Sequence, residues 1–156
     1  MTRRRHVDKY ALFDRAKAAA EAQIRAAGFG DLLGASGELY VITYTNEELR
    51  ELDEPIGEWV GQYVAGSLEG EHGLTICINI DKHGGVHAMI ETLLHEAGHA
   101  LWELVDEAGR EEYAEEGRYH KWGTEEAFAD DFMYLCQGLT DMMRAEEIFR
   151  AITKVT

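Results

Sequence analysis

Residues 92–102 read Thr-Leu-Leu-His-Glu-Ala-Gly-His-Ala-Leu-Trp and contain His95-Glu96-Ala97-Gly98-His99, an H-E-x-x-H pattern. On a helix, side chains four residues apart lie on one face, one turn above the other. His95 and His99 are therefore placed to offer two imidazoles to one metal ion, with Glu96 beside them as a base for a water molecule. Charged residues make up 29% of the chain, yet none besides the motif's own occurs between Glu91 and Glu103. A solvated acidic helix would need such neighbours. Leu93, Leu94, Ala97, Ala100 and Leu101 instead suit a helix packed on most of its sides, where two His and a Glu are costly unless paired or metal-bound.

The chain has 156 residues, 46% of them apolar, and a single Pro. That composition is expected of one globular domain spanning 1–156, with residues 1–7 loosely held. The net charge of −15 argues against nucleic-acid binding, which needs a basic surface. The densest acidic stretch, Glu103 to Glu116, reads as a solvated face. No apolar run is long enough for a membrane span, and no apolar segment follows the basic Arg3-Arg4-Arg5 to make a secretory signal. Cys77 and Cys136 form neither a C-x-x-C site nor a disulfide framework and read as small buried hydrophobes. A cytoplasmic location is expected on these grounds.

The periodicities predict an α+β chain. Asp8 to Ala27 is Ala-rich, has no Gly or Pro and is ended by Gly28 and Gly30, so it reads as a helix with Tyr10, Leu12, Phe13 and Ile24 as its apolar contacts. Gly37 to Thr45 and Trp59 to Ala65 read as strands, with Asn46 capping a turn or short helix between them and Pro55 breaking it. Leu74 to Ile80 alternates with period two: Leu74, Ile76, Ile78 and Ile80 on one face, Thr75, Cys77 and Asn79 on the other. Three strands joined by short turns predict a small, mainly antiparallel sheet. The motif helix should run from Val86 to Val105, with a short helix at Glu111 to Glu116. Thr124 should cap the next helix, which ends at Cys136 before Gly138. Thr140 should cap a last helix containing Met142, Met143, Ile148, Phe149 and Ile152.

Two histidines are not a complete site, because a catalytic zinc usually takes three protein ligands and a water. A metzincin continuation would need Gly at 102 and His at 105, where this chain has Trp102 and Val105. The best downstream candidate is Thr124-Glu-Glu-Ala-Phe-Ala-Asp130. Together with the motif stretch, this later E-x-x-x-D resembles the gluzincin metallopeptidases, over roughly Leu74 to Leu139. Among them the chain is most similar in size to the minimal members: small phage- and bacteria-encoded peptidases and the peptidase domain of the ImmA/IrrE regulators. Those regulators carry a similar E-A-x-x-F-A segment; here the stretch is Glu126-Ala127-Phe128-Ala129, in a different register.

The resemblance implies a zincin-like fold: N-terminal helix, small sheet, active-site helix, second ligand-bearing helix and C-terminal helix. It implies Zn²⁺ held by His95, His99 and Glu126, with Asp130 hydrogen-bonded to His95 and Glu96 as general base in peptide hydrolysis. It also implies that an edge strand pairs with an extended peptide or protein substrate, a part the residues around Leu74 to Ile80 would take. Glu125 competes with Glu126 as ligand, but four residues after it stands Ala129, which has no side-chain acceptor for an imidazole. His120 is the runner-up, in an arrangement similar to the SprT-like proteases. Tyr113, Tyr119 and His120 are candidates for steadying an oxyanion from the segment between the two zinc helices. His83 and His87 read as solvated. A catalytically silent, zinc-stabilised binding module of the same fold is the alternative, which the intact Glu96 disfavours.

Overall fold

Asp8 starts the first helix by accepting hydrogen bonds from the backbone N–H groups of Tyr10 and Ala11, as an N-cap aspartate does. A computed structural model describes residues 8–52, 61–64, 74–116, 123–139, 146–148 and 150–151. Helix α1 (Lys9–Ala26) ends where Gly28 takes φ 95°. The Phe29 N–H then reaches back to the Ile24 carbonyl at 3.0 Å, closing a Schellman-type turn. Its inward residues are Phe13, Ala16, Ala20 and Ile24, and the two alanines allow close approach to the motif helix. Tyr10, expected among the apolar contacts, is instead exposed. Glu21 is buried between Lys17 Nζ and the Leu39 N–H, each 2.8 Å away, and so ties α1 to the segment entering the sheet.

The sheet has three described strands: β1 (Tyr40–Tyr44), β2 (Gly61–Val64) and β3 (Thr75–Asn79), in the order β1-β3-β2. Tyr40 to Tyr44 pair in parallel with Thr75 to Asn79, whereas β2 runs antiparallel to β3 with Gly61 opposite Ile78. The sheet is therefore mixed, and the expectation of a mainly antiparallel one is corrected. Short turns would have made sequential neighbours pair, but β3 lies between β1 and β2. The connection from β1 to β3, which carries helix α2 (Asn46–Glu51) and β2, is long enough for a parallel crossover. The proposed break at Pro55 and the turn after β2 lie outside the described residues.

The expected apolar face of β3 is present: Leu74, Ile76, Ile78 and Ile80 are all buried. Its other face is covered too, since Cys77 and Asn79 are buried. Thr45, not Asn46, caps α2. Asn46 serves a different contact, accepting from Asn79 Nδ2 at 2.9 Å while its own N–H bonds Asp81 Oδ2 at 2.7 Å. Lys9 also donates to Asp81. The turn leaving β3, Ile80–Lys82, is thereby tied to both α1 and α2.

Helix α3 (Val86–Leu104) carries the motif. Leu93, Leu94, Ala97, Ala100 and Leu101 are all fully buried, as the uncharged stretch predicted. Burying each Leu is worth about 1.5–3 kcal/mol, which outweighs the roughly 1 kcal/mol that Gly98 costs a helix interior. Packing against α1, β2, β3 and α5 therefore sets where α3 lies. Arg110 closes its C-terminal end, donating to the Trp102 carbonyl at 2.8 Å and the Val105 carbonyl at 3.0 Å. Helix α4 (Glu107–Glu116) begins earlier than the predicted Glu111. Helix α5 (Thr124–Cys136) has the predicted span, but its cap position is Gly123, at φ 101°, and Thr124 is its first helical residue. Residues 146–148 and 150–151 are helical, with Ile148 and Ala151 buried; Thr140, Met142 and Met143 lie outside the described residues. No described helix is long and apolar enough to cross a membrane.

Candidate metal centre

α3 and α5 meet along the motif. His95 and His99 point their Nε2 atoms at one spot, 3.1 Å apart, and their rings stand edge to face. The Glu126 carboxylate of α5 closes the cluster, with Oε1 2.8 Å from His99 Nε2 and Oε2 3.2 Å from His95 Nε2. His95, His99 and Glu126 are the His/Cys/Asp/Glu group among the described residues whose ligand atoms converge in this way, all within 4.8 Å of one another.

Each outer ring nitrogen has an acid beside it. Asp130 Oδ1 lies 2.9 Å from His95 Nδ1, one helical turn after Glu126. Glu125 Oε2 lies 3.2 Å from His99 Nδ1. A carboxylate beside Nδ1 favours the tautomer with its proton on that side and the Nε2 lone pair directed inward. Two inward lone pairs and a carboxylate then face one another, an arrangement that repels unless a positive charge sits among them. A metal ion suits that position, and two imidazoles with one carboxylate form a set that zinc and other first-row divalent metals accept. Tetrahedral zinc with bonds of about 2.0–2.1 Å holds its ligand atoms about 3.3–3.4 Å apart. The two Nε2 atoms stand 3.1 Å apart, and with one Glu126 oxygen they lie within 4.8 Å of one another, so the residues fit the ion with small side-chain adjustments.

His99 is buried, while the side chains of His95, Glu126 and Asp130 keep 22%, 32% and 32% of their exposure. The cluster thus has one side in the core and one side reached by water. Glu96 is half-buried. Burial first, and then the Glu96 charge, push the Cys77 thiol above its usual range, so Glu96 lies within electrostatic reach of β3.

Several expectations about neighbouring residues change. Tyr113 is 1% exposed; its ring packs against Trp102 and Phe128, and its hydroxyl donates to Asp131. It braces α4 against α5 and does not face the cluster opening. His83 is not solvated: Nδ1 lies 2.8 Å from the Asn79 carbonyl and Nε2 2.9 Å from Thr92 Oγ1. It joins the end of β3 to the motif helix one turn before His95, and burial lowers its pKa. His87 is exposed, as expected. Tyr119 and His120 lie outside the described residues. β3 is central, paired on both sides, so it cannot be the edge strand that accepts another chain.

The close approach of Gly98 to Ala129, which the sequence does not announce, sets how near α5 comes to α3. The only local signal is the set of small residues at 97, 98, 100, 127 and 129.

No family model matches the chain, and no match was found among curated proteins or solved structures.

Proposed function

We propose that the chain is a zinc-dependent peptidase of the gluzincin type, with a zincin-like fold. The observation that carries this reading is the convergence of His95 Nε2, His99 Nε2 and the Glu126 carboxylate, backed by Asp130 behind His95. The intact Glu96 next to His95 supplies the group that a purely structural site would not need.

When bound, Zn²⁺ would polarise the scissile carbonyl and make an adjacent water more acidic. The protein's own groups divide the remaining work. Glu96 takes the proton of the attacking water and returns it to the departing amine. Asp130 accepts from His95 Nδ1–H and keeps that ring's inner nitrogen free to ligate. Tyr119 and His120 are the candidates for an oxyanion donor.

The substrate is an extended peptide. β2 flanks β3, packs near α3 and has a second side without a strand partner among the described residues. Main-chain pairing along that side would recognise a peptide with little demand on its sequence. β2 takes the role that the sequence assigned to Leu74 to Ile80.

The test is metal analysis and proteolysis on the same preparations. Wild type should carry about one zinc per chain and cleave an unfolded protein substrate; Glu96→Gln should keep the zinc and lose cleavage. Cleavage that survives Glu96→Gln in a zinc-loaded protein would refute the mechanism. A zinc-loaded wild type that cleaves nothing would favour the binding-module alternative.

A further inference from the structure

The two histidines are not treated alike by the resemblance, which supplies an acid for His95 only. The structure has an acid at both. We propose that Glu125 is a positioning residue of the metal centre, favouring the ligating tautomer of His99 through its charge. This rests on the metal-centre reading above and deepens it.

His99 is the more buried of the two rings, with 8% of its side chain exposed against 22% for His95. Its inner nitrogen is committed to the cluster, 2.8 Å from Glu126 and 3.1 Å from His95. The ring can present a lone pair there only if its proton sits on Nδ1. Glu125 Oε2, 3.2 Å from Nδ1, is the charge that favours this tautomer. It also strengthens the inner nitrogen as a donor, as an outer carboxylate does for a metal-ligating histidine. The contact is of ion-pair range rather than well-aligned hydrogen-bond geometry, so Glu125 acts through its charge.

Glu125 and Glu126 are neighbours in the first turn of α5, about 100° apart around the helix. Glu126 enters between the rings and Glu125 passes outside His99. The competing view is that Glu125 only complements the positive end of the α5 dipole. That view predicts an effect on stability alone.

The test measures zinc affinity by competition with a chromophoric chelator on metal-free protein refilled with zinc, for wild type, Glu125→Gln, Glu125→Ala and Glu126→Ala. Cobalt(II) absorption spectra and thermal midpoints of the metal-free forms accompany it. Glu125→Gln should weaken zinc about 10-fold and Glu125→Ala up to about 100-fold, with shifted cobalt bands and a metal-free midpoint close to wild type for Gln. Glu126→Ala should lose more than either. Wild-type affinity and cobalt spectra in both Glu125 variants would overturn the proposal. So would a Glu125→Ala loss equal to or larger than that of Glu126→Ala, which would make Glu125 a ligand. A wild type that takes up no zinc overturns the metal centre itself, and this proposal with it.

Discussion

Gly98 of α3 and Ala129 of α5 meet backbone to backbone: a Cβ at 98 would stand 2.8 Å from Ala129 Cα and 3.1 Å from its carbonyl oxygen. Both atoms belong to a helix backbone and neither can swing aside. The contact lies between the two halves of the cluster, His95 and His99 on one helix and Glu126 on the other.

Gly98→Ala should therefore damage the site without touching a ligand. Ala gains roughly 1 kcal/mol of helix propensity over Gly, but overpacking a tight contact costs about 1–3 kcal/mol. The expected result is a net loss of stability together with weaker zinc binding, as α5 moves outward and carries Glu126 with it. Urea unfolding and chelator competition on the same variant check it. Wild-type zinc affinity would mean that the helix separation is not what tunes the site.

Asp130→Asn should lower zinc affinity about 10- to 100-fold while leaving the fold intact, because Asn keeps the size of the side chain but loses the charge beside His95 Nδ1. Metal-free circular dichroism should match wild type. Chelator competition decides the affinity, and an unchanged constant would count against Asp130 as the residue that orients His95.

His83 should make stability fall on mild acidification. Burial holds its folded-state pKa below the ordinary value, which is about 6.5. Above that value both folded and unfolded chains carry a neutral ring and the group adds no pH dependence. As pH falls, the unfolded chain takes the proton first, so stability present above the unfolded pKa is lost down to the lower folded pKa. The comparison is unfolding by urea at several pH values between 8 and 5 for wild type and His83→Gln. The advantage of wild type should shrink as the pH falls; parallel curves would show that His83 does not contribute the slope.

Both cysteines should be inert in the folded protein. Burial pushes the Cys136 thiol up to about 12, and burial with the nearby Glu96 charge raises Cys77. The thiolate is the reactive form, so a thiol reagent at pH 8 should label neither residue in native protein and both after denaturation. Rapid native labelling at Cys77 would show that β3 is open to reagent.

The sequence alone determined much of this protein. The H-E-x-x-H pattern and its uncharged flanks paired His95 with His99, and the resemblance carried by the later E-x-x-x-D pointed to Glu126 over Glu125 and to Asp130 as the neighbour of His95. Helix spans were legible to within a few residues, because apolar periodicity and the glycines at 28 and 138 act locally. The tertiary structure decided what depends on partners far along the chain. A period-two strand such as Leu74 to Ile80 has the same pattern at the centre of a sheet as at its edge, so its neighbours had to come from the fold. The same holds for His83, whose partners Asn79 and Thr92 convert an apparent surface residue into a brace. Adjacent acids point about 100° apart on a helix, and only the packing of α5 on α3 decides which enters the cluster. That packing is set by Gly98 against Ala129, a contact visible only once both helices are in place.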